Sequence, residues 1–245
     1  MNFISYSDCP VSINGENYYA SSASLASSSD VSPNRLLGGE MEEYSSKSPL
    51  RAMVVINYYV TGEVENILSL TGDSSCHGSF GGINFSGAYL TNYSVEIAPY
   101  SPISVSSRFH VYSGFSESLS GGSFYSTGID VANAATSSLE NFNSSNLGIE
   151  NPINISYDIN CERVPCYVIG SEYPKDVILG NVNKRMTVKG ENIGGLISYS
   201  GKGVAEVSVT PKTINNISRG QSLTCGGVIN SQNLSVSRGG MVGGT

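Results

Sequence analysis

Residues 85–112, FSGAYLTNYSVEIAPYSPISVSSRFHVY, contain the clearest structural pattern in the chain. Apolar and polar side chains alternate along its second half, with Ile103, Val105, Phe109 and Val111 in one set and Ser104, Ser106, Arg108 and His110 in the other. A period of two is typical of a half-buried β-strand. Pro99 and Pro102 lie in a short connection to the strand pattern at 88–98. The stretch therefore predicts a β-hairpin with one apolar face and one polar face.

Strand patterns dominate the chain on both sides of this hairpin. At 88–98 the alternation places Tyr89, Tyr93, Val95 and Ile97 on one side. The run 53–60, MVVINYYV, is nearly continuous in β-branched and aromatic residues, which predicts a strand buried on both faces. Further strands are predicted at 154–159, 165–170, 184–190, 195–200, 204–209 and 233–238. The predicted fold class is therefore mainly β.

One segment has a helical pattern. In 128–142, GIDVANAATSSLENF, an apolar stripe with helical spacing is formed by Val131, Ala135, Leu139 and Phe142. Asp130 is suited to the N-cap position, where its carboxylate can accept from the first free N–H groups. We expect this helix to cover the core of the β-sheet.

These elements predict three parts: a β domain at 1–120, a helix and linker at 121–150, and a second β domain at 151–245. The halves have a similar order of strands and Gly-rich turns, as in Gly87…Ser94-Val95 and Gly227…Ser235-Val236. A Ser- and Gly-rich chain produces such matches by chance, so the sequence does not decide whether the second domain is related to the first. The second domain is either a diverged repeat of the first or an unrelated β domain.

Composition narrows the classes of function. Only 13% of the 245 residues are charged, and the net charge is −7. An acidic surface repels phosphate, so stable binding of nucleic acid is not expected. No apolar run approaches the roughly 20 residues of a membrane-spanning helix, and the first residues do not resemble a secretory signal. The five cysteines are expected to be reduced thiols in a protein assembled in the cytoplasm.

No motif indicates an enzyme. Cys76 and His77 are adjacent, but neighbours on an extended strand point to opposite faces and cannot form a catalytic dyad. There is no Gly-X-Ser-X-Gly elbow, no phosphate-binding Gly loop and no cluster of metal ligands around the two histidines. We therefore predict no catalytic, cofactor-binding or metal-binding residues. A cysteine-dependent hydrolase using Cys76 is the most distant alternative.

Two stretches resemble one protein family. Residues 81–112 resemble the closing hairpin of bacteriophage tail tube proteins, in which a Gly-X-Tyr-Leu-Thr-X-Tyr-Ser strand leads through a Pro turn into a second strand. Residues 3–31, FISYSDCPVSINGENYYASSASLASSSDV, resemble the first hairpin of the same subunits. The resemblance covers residues 1–115. The same fold occurs in baseplate hub proteins and in secretion-system tubes.

The resemblance implies an antiparallel β-sandwich or partial barrel with a flanking helix, repeated once if the two halves are tandem tube domains. It implies self-assembly into stacked hexameric rings, or into pseudo-hexameric trimers of two-domain subunits. Sheath, baseplate or terminator proteins would be further partners, in the tail of a virion. DNA would cross the channel during ejection without specific binding. The polar set on 103–111, Ser104, Ser106, Arg108 and His110, is then a candidate lumen or solvent face.

Two alternatives remain beside the tube subunit. The nearer one is a baseplate hub or tube initiator. The other is a surface-binding β module, such as an adhesin or a capsid decoration domain.

Overall fold

The computed structural model describes residues 11–18, 20–29, 31–35, 41–47, 51–60, 66–116, 142–143, 152–191, 204–214 and 223–235. These residues are mainly antiparallel β-strands, and no α-helix occurs among them. The mainly β fold class is therefore confirmed, as an open sheet, whereas a flanking helix is not seen. The helix predicted at 128–142 lies outside the described residues except for Phe142. That residue was assigned wrongly, because it belongs to a short strand that pairs with Leu223.

Among the described residues up to 116 there are nine strands and one 3₁₀-helix. The strands are β1 (Val11–Ile13), β2 (Glu16–Tyr18), β3 (Ala20–Ser28), β4 (Val31–Arg35), β5 (Met41–Lys47), β6 (Arg51–Tyr59), β7 (Cys76–Phe80), β8 (Ile83–Ile97) and β9 (Ser104–Val111). The 3₁₀-helix spans Asn66–Thr71. The second half contains β10 (Phe142–Asn143), β11 (Pro152–Cys166), β12 (Asp176–Glu191), β13 (Val204–Ile214) and β14 (Leu223–Ser235).

Twelve of these strands form one sheet that branches at β8. One edge of β8 pairs with β9, which continues to β6 and β3. The opposite edge pairs first with β7, up to Ala88, and then with β11 from Asn92 onward. From β7 the sheet continues to β1 and β2, and from β11 it continues to β12, β13, β14 and β10. Strands β4 and β5 form a separate two-stranded sheet.

The buried apolar side chains of the described residues form one core under this branch point. On β6 the side chains of Ala52, Val54, Ile56 and Tyr58 are buried, and they alternate with half-buried ones. The prediction that 53–60 is buried on both faces is therefore wrong, since only one face of β6 is fully covered. The apolar set of 103–111 on β9 enters the same core, as predicted. Tyr157 and Ile159 of β11 join it, so β8 and β11 share both a sheet and a core.

A β-bulge in β8 reverses which side chains of this strand point into the core. The register against β9 shifts between Leu90 and Asn92. Because the shift exchanges the two faces, Leu90 and Tyr93 both point into the core, and Tyr89 lies on the outer face. The prediction that Tyr89 shares a side with Tyr93 is therefore wrong. A one-residue bulge reverses side-chain direction without leaving a mark in the period-two pattern.

The β11–β12 hairpin is much longer than the predicted strands 154–159 and 184–190 suggest. The strand predicted at 165–170 is wrong beyond Cys166, where β11 ends and the connecting loop begins. The strands of the hairpin pair from Pro152 and Gly190 to Cys166 and Asp176, with a bulge beside Glu162. The carboxylate of Glu162 accepts hydrogen bonds from both the backbone N–H and the side chain of Asn181 at 3.2 Å. This interaction bridges the irregular register, so the two strands continue through polar, turn-like residues.

Candidate functional site

The four residues of the predicted lumen or solvent face lie together on the outer face of β9. Arg108 is exposed, while Ser104, Ser106 and His110 are half-buried. Opposite His110 lie Met53 of β6 and Tyr89 of β8, which continue this face across three strands. The structure thus places the predicted set on one surface of the sheet. Whether this surface faces a lumen stays a prediction.

At the branch point a buried arginine, Arg163 of β11, contacts both β8 and the 3₁₀-helix. Its Nε donates to the carbonyl of Leu90 at 3.0 Å, and its Nη2 donates to the carbonyl of Leu70 at 3.2 Å. The guanidinium carbon lies 5.5 Å from the ring centroid of Tyr89, within cation–π range. Arg163 is only 8% exposed, so this charge is almost fully removed from water. Sequence patterns do not single out Arg163, because it directly follows Glu162, and adjacent charged residues are usually exposed.

A cleft of about 500 Å³ opens beside this arginine. Its walls come from the ends of β3, β6 and β9 and from the far part of β11. Polar and aromatic groups on these walls include Arg51, His110, Tyr112, Arg163 and Tyr167. Two of these side chains are cationic, and none of the described residues that line the cleft is Asp or Glu. The cleft is therefore locally positive in a chain of net charge −7.

Aromatic contacts order the floor of this region. The rings of Tyr89 and Tyr112 meet edge to face, with centroids 5.9 Å apart. The Tyr112 hydroxyl lies 3.4 Å from Nδ1 of His110. Burial lowers the pKa of His110 below 6.5, and the charges of Arg108 and Arg51 lower it further. Burial also raises the pKa of Tyr112. Both rings are consequently neutral near pH 7, which leaves the guanidinium groups as the charges of this surface.

Two long strand edges lack a partner among the described residues. Strand β3 pairs with β6 on one side, and no described strand pairs with its other side. The first ten residues of β12, 176–185, pair with β11 but not with β13, which begins its pairing at Met186. Such edges present unpaired backbone N–H and C=O groups that can bind another strand.

The end of the β11–β12 hairpin carries an apolar surface. Val164 and Ile178 face each other across the hairpin and are 45% and 52% exposed. The connecting loop adds the exposed side chains of Tyr167, Val168, Ile169 and Tyr173. We call these six residues the hairpin tip. Contiguous exposed apolar side chains of this kind are typical of contact surfaces between proteins.

The geometry of Cys76 and His77 does not support a nucleophilic dyad. Cys76 is buried and His77 is exposed, because they are neighbours on β7 and point to opposite faces. Burial raises the pKa of the Cys76 thiol to about 12. A thiol of such high pKa is almost entirely protonated at neutral pH, and a protonated thiol is a poor nucleophile.

Across the described ranges, no three His, Cys, Asp or Glu side chains come together in a way that could hold a metal ion. Within the same ranges, no helix has the length and hydropathy needed to cross a membrane. No protein-family model matches the sequence, and no curated protein matches it.

Proposed function

We propose that this protein is a non-enzymatic structural subunit of a phage tail tube, which assembles with copies of itself into stacked rings through its unpaired strand edges. The observation that carries the proposal is the edge of β3 that has no strand partner among the described residues, called here the free edge of β3. In a ring, each open edge is completed by the next subunit, and the assembly as a whole has no open edge.

The composition of β3 suits such a contact. Its sequence, ASSASLASS, has no Lys, Glu or Pro, the residues that usually protect an edge from pairing. Its side chains are mostly small, so a neighbouring strand can approach closely. Residues 176–185 of β12 pair with β11 on one side only, and their other side provides a second edge of similar length. Two different edges on one chain allow head-to-tail contacts, which close into a ring when the rotation between subunits permits.

Two further features support a tube. The net charge of −7 is compatible with the passage of DNA, because a protein of overall negative charge disfavours stable binding of phosphate groups. The hairpin tip offers an apolar contact for a neighbouring ring or for another tail component. The resemblance of residues 1–115 to tail tube proteins gives these physical features a specific setting, the tail of a virion.

The hairpin tip also favours a second candidate function, a surface-binding β module that acts as a monomer. Exposed tyrosines beside aliphatic side chains are common in binding surfaces. A monomer would use the tip alone, whereas a tube subunit requires the edge of β3. The two candidates are therefore separated by the effect of blocking that edge.

The direction of the backbone groups identifies the residue to change. The N–H of Val60 donates to Ile103 on the β9 side, and the carbonyl of Asn57 accepts from Ser21 of β3. Backbone N–H and C=O groups point alternately to the two sides of a strand. In β6 those of the odd-numbered residues therefore point toward β3. Ala23 is paired with the even-numbered Ile56, so its N–H points to the free edge.

The experiment compares Ala23→Pro with Ala23→Ser in the full chain. Proline removes an outward N–H and leaves the bonds to β6 intact, whereas serine keeps the N–H. We expect wild type and Ala23→Ser to form particles of defined mass in mass photometry and light scattering. Ala23→Pro should remain a folded monomer by near-ultraviolet circular dichroism. A wild-type chain that stays monomeric at high concentration would refute the proposal, and assembly of Ala23→Pro would show that β3 is not the contact.

A further inference from the structure

The cleft beside Arg163 contains a buried positive charge that no described carboxylate balances. Nε and Nη2 of Arg163 are bonded to backbone carbonyls, and Nη1 has no hydrogen-bond partner in the described part of the chain. A buried cation is costly unless a counter-charge or further hydrogen bonds offset the loss of water. The ring of Tyr89 gives part of that compensation. It does not neutralise the charge.

Arg51 adds a second guanidinium at the solvent side of the same cleft. It is the first residue of β6 and is exposed, whereas Arg163 is buried. Guanidinium groups bind carboxylate and phosphate oxygens through paired N–H donors. The described lining thus combines an exposed and a buried arginine with no acidic residue, an arrangement suited to an anion that enters from solvent.

The other residues that line the cleft indicate what the rest of the ligand would be. Met53 and Val111 contribute apolar surface, and Tyr112 and Tyr167 contribute rings with polar ends. A volume of about 500 Å³ falls within the usual range for small-molecule sites. The walls therefore suit a ligand in which the anionic group is attached to a small, partly apolar moiety.

We propose that this cleft binds an oxyanion, a carboxylate or phosphate group carried on a small and partly apolar molecule. Arg51 binds the anion at the entrance, and the buried charge of Arg163 holds it electrostatically from the inner wall. The proposal does not rest on ring assembly, although Ala26, Ser27 and Ser28 of β3 line the cleft next to the proposed contact edge. It adds a ligand to a protein otherwise proposed to be purely structural.

The test uses inorganic phosphate and benzoate as probes, with sodium chloride at equal ionic strength as the reference. Binding to the full chain is measured by isothermal titration calorimetry and by the rise in melting temperature. The variant Arg51→Gln removes the accessible charge of the cleft. The matched control, Arg108→Gln, removes an exposed charge from the same sheet face outside the cleft.

We expect saturable binding of at least one probe to wild type and to Arg108→Gln. Arg51→Gln should bind about tenfold more weakly, since one charge-assisted hydrogen bond is lost. Binding of benzoate alone would identify a carboxylate ligand, and binding of phosphate alone would identify a phosphate ester. Absence of saturable binding for both probes, or equal affinities in all three proteins, would overturn the proposal.

Discussion

Nε of Arg163 donates to the carbonyl of Leu90 at 3.0 Å, and this bond lies where the sheet divides. On this edge of β8, β7 stops pairing at Ala88 and β11 starts at Asn92. No described strand pairs on that side with the residues between them. The arginine side chain supplies the hydrogen bond to Leu90 that a neighbouring strand would otherwise supply. It also donates to the carbonyl of Leu70 and so connects the 3₁₀-helix to the same point.

Replacement of Arg163 by Met should therefore destabilise the protein. Two buried carbonyls would lose their donors, and each unsatisfied buried group costs about 1–3 kcal/mol. We expect the free energy of unfolding to fall by about 2–4 kcal/mol in urea titrations. Arg108→Met, the exposed counterpart on β9, should change it by less than about 0.5 kcal/mol. Equal effects of the two substitutions would mean that Arg163 does not join the branches of the sheet.

Thiol labelling should distinguish three cysteines. Cys76 and Cys161 are buried, and burial raises the pKa of both thiols, whereas Cys166 is half-buried at the end of β11. In the native protein at neutral pH, iodoacetamide should modify Cys166 well before the other two, as followed by peptide mass spectrometry. Unfolding in urea should make the three rates similar. Rapid native labelling of Cys76 would revive the idea of a reactive cysteine.

Acidification should weaken the fold through His110. Its pKa is lowered in the folded state by burial and by Arg108 and Arg51, so the unfolded chain takes up the proton first. The stability that neutral His110 contributes to the folded state is present above the unfolded pKa of about 6.5. It is lost as the pH falls from there toward the lower pKa of the folded state. The stability of wild type relative to His110→Gln should therefore decrease over this window in urea titrations. A difference that is independent of pH would contradict the assignment.

The hairpin of β8 and β9 could be predicted from sequence because local chemistry determines it. Pro99 and Pro102 mark the connection, and strict alternation on 103–111 fixes which side chains are buried. The facing of Tyr89 could not be predicted in this way. It depends on a bulge that forms only when β8 meets β9 and β11, which is a property of tertiary pairing.

The long β11–β12 hairpin and the cleft were missed for a related reason. Residues such as Asn160 and Gly180 are typical of turns, and here they lie within strands whose irregular register is bridged by Glu162. The cleft combines Arg51 of β6 with Arg163 of β11, which are far apart in sequence. No local pattern connects such residues until the sheet has formed.

High-resolution imaging of particles assembled from the full chain tests the central claim most directly. The account predicts rings of sixfold symmetry, or threefold symmetry with two domains per subunit, in which a strand from the next copy is hydrogen-bonded along the free edge of β3. It would be contradicted by a chain that remains monomeric, or by particles in which that edge of β3 faces solvent or is covered by its own subunit.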